Sequence, residues 1–368
     1  MKFPLSPEQI SHLDPSHMLT LLTSFPDQLG EAMKITHQVC LSVQKRAIRN
    51  VVVAGLGGSA IGGDLLRTYL VDQVELPILV NRGYTLPGFV GPDTLVFASS
   101  YSGDTEETLA ACRQAIQRRS QIIGIASGGQ LVQLAAEANF SMIRIPAGYP
   151  PRAALGYSFV ALLLSMAKLG LVSEQGVSLR EAQELVRQKG VEYHPSVPLG
   201  KNEAKQCALK LRGKFPVIYA WGHHFEAVAI RWRGQLAENS KQLSSHHLFP
   251  EMDHNEIVGW GMPEAMMKKT AVILLRDRGE PKPIVKRMEI TKELIAPFAG
   301  EIVEAWATGT SLLARLFSLL HLGDWVSFYL AVLNGVDPTP VQRIDMLKRR
   351  LAGGSEGNRV PPEQEESK

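Results

Sequence analysis

Cysteine is scarce: Cys40, Cys112 and Cys207 are the three in 368 residues. Their number is odd, their spacings are wide and no C-x-x-C pair occurs. That excludes a disulfide framework and a zinc knuckle, and suits a reducing, cytoplasmic setting. Charge of one sign is also lacking. The formal net charge is +3 and the basic residues are scattered rather than striped, so nucleic acid is not expected as a partner. The first residues, MKFPLSPEQISHLD, hold no apolar core of signal-peptide length. The most apolar stretch, Phe159–Leu171, contains Ser165 and Lys168 and is too short to span a bilayer. No membrane association is expected. Metal-ligand spacing is missing too. His223-His224 and His246-His247 are adjacent pairs, and adjacent residues do not share a helical face. Neither H-x-x-x-H nor H-E-x-x-H occurs, so neither a metal nor a cofactor is expected.

What is present is an alternating grammar. Residues 1–48 read as helical, with Asp14-Pro15-Ser16 and Ser24-Phe25-Pro26-Asp27 as turn or cap signals. Short apolar runs then recur at 50–55, 77–80, 95–99, 122–126 and 140–145, with helix-compatible segments between them. Continuously apolar strands alternating with helices imply a parallel sheet covered on both faces. A polar connector at 171–200 follows, and the same grammar resumes at Phe215. The expected architecture is α/β: two doubly wound, flavodoxin-like domains in tandem, at 49–170 and 201–352. The Gly/Pro/Glu-rich tail, 353–368, is expected to be disordered.

Two loops carry the chemistry of the first domain. "GLGGSAIGGD", Gly55–Asp64, follows its first strand. It is not a P-loop, because Asp64 follows Gly63 where Lys and Ser/Thr are needed. It nearly meets a dinucleotide fingerprint as Gly55-x-Gly57-x-x-Ala60, but Asn81-Arg82 stands where the ribose-binding acid belongs. A Gly-rich sugar or phosphate loop and a tight packing turn remain as readings. "SSYSGDTEET", Ser99–Thr108, ends the third strand of the same sheet. Capping a helix uses one hydroxyl and at most one Glu three residues on. The surplus suits a phosphate held by Ser100, Ser102 and Thr105 and by helix N-terminal N–H groups. Gly57, Gly58 and Ser59 would face it from the first loop.

G-G-S-A-I-G-G-D followed by S-Y-S-G-D-T-E-E-T resembles the sugar-isomerase (SIS) domain family. "YPPRAALGYSF", "QLAENSK", "PEMDHNEIVGW" and "DPTPVQRIDMLK" follow in an order similar to the bifunctional phosphoglucose/phosphomannose isomerases of archaea and many bacteria. The likeness covers residues 45–350. It implies a homodimer that takes a phosphosugar and passes it through a cis-enediol(ate) without metal. It departs at Asp104, where relatives often have Asn; an acid beside a phosphate should point away. The second domain lacks a Gly/Ser-rich loop, so one phosphate site per chain is expected.

Enediol chemistry needs a proton shuttle, a cation for the enediolate and an acid/base pair to open the ring. Glu238 in "AENSK" is the candidate shuttle, with partial burial expected to raise its pKa. Arg152, stiffened by Pro150-Pro151, is the candidate clamp. His254 would open the ring, assisted by Lys348, and by family precedent it reaches the partner subunit's site. Thr339 is a candidate for the small residue that lets both C2 epimers react. An isomerase of another phosphosugar, or a sensor that binds without turnover, are the alternatives. A sensor needs no shuttle.

Overall fold

The structure is a computed structural model that describes residues 5–43, 48–351 and 353. The tail expected to be disordered lies, but for Gly353, outside the described residues. Three helices come first: α1 (Pro7–Leu13), α2 (Met18–Thr23) and α3 (Phe25–Gln38). Then follow β1 (Asn50–Ala54), α4 (Gly57–Leu70), β2 (Ile78–Asn81), β3 (Thr94–Ser99) and α5 (Glu106–Gln117). β4 (Gln121–Ala126), α6 (Gly129–Ala138) and β5 (Ser141–Arg144) complete the first sheet. Its order is β2-β1-β3-β4-β5, parallel throughout. Val51, Val52 and Val53 are fully buried, as β-branched residues on a strand covered on both faces should be.

α7 (Leu155–Lys168), α8 (Gly176–Tyr193) and α9 (Glu203–Leu211) lead to the second sheet. It is built from β6 (Phe215–Trp221), β7 (Ser245–Phe249), β8 (Thr270–Arg276) and β9 (Glu301–Trp306). Between these strands run α10 (Glu226–Glu238), α11 (Glu264–Met267) and α12 (Lys282–Ile295). The order β7-β6-β8-β9, again parallel, repeats the first four positions of the first sheet and omits the fifth. The chain closes with α13 (Leu312–Leu333) and α14 (Gln342–Leu351).

The expected apolar maximum at 159–171 is overtaken by α13. Among the described residues α13 is the one helix long and apolar enough to cross a membrane, at 22 residues. Its most apolar window is wholly buried, packed on α8, α9 and α10, so the same composition serves as a core helix. Two links brace the site. Trp232 of α10 donates its indole N–H to the Leu319 carbonyl of α13 at 2.8 Å. Gln28 of α3 holds the Ala153 carbonyl at 2.8 Å and accepts from the Gly156 N–H at 2.7 Å, fixing the short 3₁₀ turn Pro151–Ala153.

Candidate active site

In open α/β sheets, ligands sit outside the strand carboxyl ends where the strand order reverses. In the first sheet that point lies between β1 and β3, and the two expected loops leave these strands. Gly57 opens α4 with φ +50°, a conformation that favours glycine. Gly58 lies against the 3₁₀ turn: a Cβ there would stand 2.4 Å from the Pro151 carbonyl oxygen. Ser59 links the loops by accepting the Tyr101 N–H at 3.0 Å.

The hydroxyls of the second loop divide. Ser100 is buried; its Oγ meets Thr105 Oγ1 at 2.8 Å and accepts the Gly103 N–H at 3.1 Å. It therefore shapes the loop. Ser102 is exposed and Thr105 half-buried, and no side chain caps α5. The first-turn N–H groups of α5 have no intrahelical acceptor and point along the positive end of the helix. Asp104 turns toward α6, where its Oδ1 accepts the Gln130 N–H at 2.9 Å.

Arg152 and Glu238 meet across 86 residues of sequence. Arg152 is 4% exposed; Nη1 stands 3.5 Å from Glu238 Oε2. Nε donates to Asn239 Oδ1 at 2.6 Å, and Nη2 to the Pro338 and Thr339 carbonyls at 2.8 Å each. Nη1 thus makes one long contact and keeps capacity for a further acceptor. Burial lowers the Arg152 pKa, with Glu238 opposing, yet a guanidinium remains charged. Glu238 ends α10 and its side chain is one-third exposed. A cavity of about 240 Å³ is lined by Gly57 and Gly58 on one side and by Arg152, Gln235 and Glu238 on the other.

The remaining expected residues are not in that wall. Thr339 is one hydrogen bond away: its carbonyl holds Arg152, while its hydroxyl oxygen is buried without a partner among the described residues. His254 is exposed in the 3₁₀ turn after β7. Its two acidic neighbours are occupied, Asp253 by Arg287 and Thr291, Glu256 by the Tyr219 hydroxyl. Lys348 lies on α14, a helix with no buried residue. Among the described residues neither the His254 nor the Lys348 side chain makes a hydrogen bond or ion pair, and neither residue lines the cavity.

Several supporting residues escaped the sequence reading. Asp324, 4% exposed inside α13, takes Arg231 through two bonds of 3.0 and 2.8 Å and Gln235 at 2.8 Å. Arg231 in turn donates to the Arg152 carbonyl at 3.1 Å. A lone carboxylate in an apolar helix was the available signal. Arg82, Arg231 and Arg233 add positive charge to the cavity. Arg82 pairs with buried Asp64 and Arg231 with Asp324, whereas the Arg233 side chain makes no hydrogen bond or ion pair among the described residues. Of the residues expected to hold a phosphate, Gly57 and Gly58 line this cavity, whereas Ser59, Ser100, Ser102 and Thr105 do not.

Fold and cleft define the class: an SIS-type α/β protein with two doubly wound sheets. Solved structures agree. Hypothetical protein TT0462 from Thermus thermophilus superposes with TM-score 0.70 at 16% identity, covering 91% of each chain. A glucose-6-phosphate isomerase like protein from the same organism gives 0.64 at 20% identity, covering 94% of this chain and 99% of its own. The family model for the bacterial phospho-glucose isomerase C-terminal SIS domain matches residues 200–351. A bifunctional phosphoglucose/phosphomannose isomerase of Caldicellulosiruptor bescii is 44% identical over 335 residues, 91% of this chain and 99% of that protein. Its counterpart in Aquifex aeolicus is 37% identical over 306 residues, 82% and 90%. The chain belongs to the bifunctional phosphoglucose/phosphomannose isomerase family. A D-glucosamine-6-phosphate 4-epimerase of Sulfolobus acidocaldarius is a more distant relative, 28% identical over 213 residues, 58% of this chain and 64% of that protein.

Proposed function

We propose that this chain interconverts glucose 6-phosphate and mannose 6-phosphate with fructose 6-phosphate through a cis-enediol(ate), with no metal or cofactor in the chemistry. The observation that carries the reading is the Glu238 carboxylate 3.5 Å from the Arg152 guanidinium in the cavity wall opposite Gly57 and Gly58. The sugar phosphate is held by Gly57, Gly58 and Ser59, by the Ser100–Thr105 loop and by the field of Arg233. His254 and Lys348 open the pyranose. Glu238 takes the C2 proton of the aldose and returns it to C1, the O2 hydroxyl proton passes to O1 so that C2 becomes the carbonyl, and Arg152 Nη1 bonds the enediolate oxygen. Thr339, whose carbonyl accepts from Arg152 Nη2, is placed beside C2, where rotation about C2–C3 exposes either face to Glu238.

His254 is exposed and does not line the cavity of its own chain, which supports a homodimer that brings it to the partner's cleft. Val258 and Met262, 84% and 81% exposed in the same loop region, supply apolar surface for the contact. The free cysteines, two of them buried, agree with the reducing cytoplasm where we place the enzyme.

The test is a coupled assay of both aldoses with EDTA present. Both should be converted, and Glu238→Gln should cost about 10²–10⁴ in kcat with sugar-phosphate binding retained. Wild-type turnover in that variant removes Glu238 from the mechanism, and loss of wild-type activity in EDTA removes the metal-free chemistry. Mixing inactive Glu238→Gln and His254→Ala proteins should restore activity if the site is shared between subunits. Conversion of an amino sugar phosphate in preference to both aldoses would favour the epimerase-like alternative.

A further inference from the structure

The adjacent histidines set aside in the sequence fall in a turn rather than a helix. His223 and His224 join β6 to α10, and there both rings reach the same acid, Asp72, just past the end of α4. His223 Nε2 lies 2.9 Å from both Asp72 oxygens, and His224 Nε2 lies 3.2 Å from Oδ2. The three ligand atoms lie within 4.8 Å of one another. We propose that Asp72, His223 and His224 form a site for a borderline first-row dication of the zinc class, one that clamps the two halves of the chain together.

Hydrogen bonding gives the first reason. His224 is nearly buried and its Nδ1 lies 2.8 Å from the Thr68 carbonyl, which can only accept. The ring proton therefore sits on Nδ1, and in neutral imidazole Nε2 is a bare lone pair. That lone pair faces a carboxylate oxygen. Two acceptors in contact require a cation between them, either a proton or a metal. A backbone carbonyl on the far ring nitrogen is also how metal-ligating histidines are commonly oriented.

Geometry gives the second reason. Donor atoms around tetrahedral zinc at 2.0–2.1 Å stand about 3.3 Å apart. The nitrogen–oxygen separations here, 2.9 and 3.2 Å, need only a few tenths of an ångström of adjustment. The rings are already braced. Trp221 stacks on His223 at 5.3 Å and meets His224 edge-on at 5.5 Å. Two imidazoles and one carboxylate select zinc-like ions over magnesium or calcium, which prefer oxygen. Exposure of Asp72 leaves the fourth position to water.

Location gives the third. The turn leaves β6 at the strand-order reversal of the second sheet, the place equivalent to the Gly-rich loop of the first. α4 and α10 pack antiparallel: Gly57 and Glu238 line the cavity at one end, and Arg67 pairs with Glu226 at the other. The ion would bind at that second end. Glu226 to Glu238 is a rise of about 18 Å, so the ion touches neither Glu238 nor substrate.

The full-length protein, freed of metal with chelator, is titrated with ZnCl₂ by calorimetry, and with Co²⁺ while its visible d–d absorption is read. One ion per chain should bind, and zinc should raise the unfolding temperature. His223→Ala, His224→Ala and Asp72→Asn should each lower the affinity at least about tenfold and remove the thermal shift. The His223 side chain is 37% exposed and lies outside the buried core, so its variant tests the site with little burden on packing. Equal affinity in wild type and His223→Ala, or a wild type with no stoichiometric binding, overturns the clamp. Isomerase activity measured in EDTA should be the same in wild type and His223→Ala, so failure of the clamp and failure of the isomerase reading are separate results.

Discussion

Gly58→Ala separates a glycine needed for packing from one needed for a ligand. A Cβ at Gly58 would lie 2.4 Å from the Pro151 carbonyl oxygen, 2.6 Å from its carbon and 2.9 Å from the Arg152 nitrogen. All three are backbone atoms, so no rotamer change relieves them. Ordinary contact requires the turn or α4 to retreat by about 1 Å. Gln28 resists the movement from α3, and Arg231 resists it through the Arg152 carbonyl. Overpacking of this kind costs about 1–3 kcal/mol of stability. Arg152 rides on the displaced turn. A misplacement of about 1 Å near reacting groups costs on the order of 10²-fold, or about 2.7 kcal/mol of barrier. Gly57→Ala is the control. Its Cβ meets nothing within 4 Å, and its φ of +50° costs about 1–2 kcal/mol without moving Arg152. Thermal unfolding and steady-state kinetics with glucose 6-phosphate on both variants decide the matter. Gly58→Ala should lose kcat, whereas Gly57→Ala, at a residue placed against the sugar phosphate, should lose stability and raise KM while keeping kcat. Wild-type kcat in Gly58→Ala, or equal losses in the two, refutes the reasoning.

Two further predictions concern pH. Burial, with Arg231 nearby, holds the His321 imidazole down to about 3 from its ordinary 6.5. Below about pH 6.5 the unfolded chain binds a proton there that the folded chain refuses until about pH 3, so stability falls with acid by up to about 1.4 kcal/mol per pH unit. His321→Gln should flatten that slope in unfolding experiments across this window; an unchanged slope assigns the acid sensitivity elsewhere. Burial, then Arg152, lowers Lys241 to about 8, and its ammonium donates to the Glu238 and Pro338 carbonyls at 2.5 and 3.2 Å. kcat/KM should therefore show an alkaline limb near pH 8 as the charge is lost, and Lys241→Arg should move the limb out of range. A limb that stays near pH 8 in that variant rules Lys241 out.

The strands were legible because each is a continuous apolar run, and burial on both faces demands such runs. Val51–Val53 and Ala271–Leu275 are wholly buried. The loops at the first sheet's strand ends were legible because glycine and clustered hydroxyls have few other uses at a strand-to-helix corner. Their division of labour was not. Ser100 and Ser102 are alike in sequence, yet one is sealed into the loop and the other faces outward. Nor did any local pattern join Arg152 to Glu238, Asn239, Pro338 and Thr339, because these partners come from α10 and from the segment before α14. The motif order carried by the family resemblance supplied the residues but not their contacts. Asp324 was masked by its surroundings: its role lies in Arg231 and Gln235, about 90 residues earlier on a facing helix.

The α4–α10 pair explains why a repeated sheet carries only one Gly-rich loop. Each sheet reverses strand order beside its central strand, and each reversal loop meets the far end of the other half's helix. At β1 the Gly57-Gly58 loop faces the carboxyl end of α10, where Glu238 sits. At β6 the His223-His224 turn faces the carboxyl end of α4, followed by Asp72. A shared helix pair thus has two junctions between the halves, and one substrate cleft uses one of them. The second is free to hold the halves in register. Residues that do so are chosen for partners in the other half, which is why His223-His224 reads as an unmotivated pair in sequence and as a three-ligand cluster in the fold.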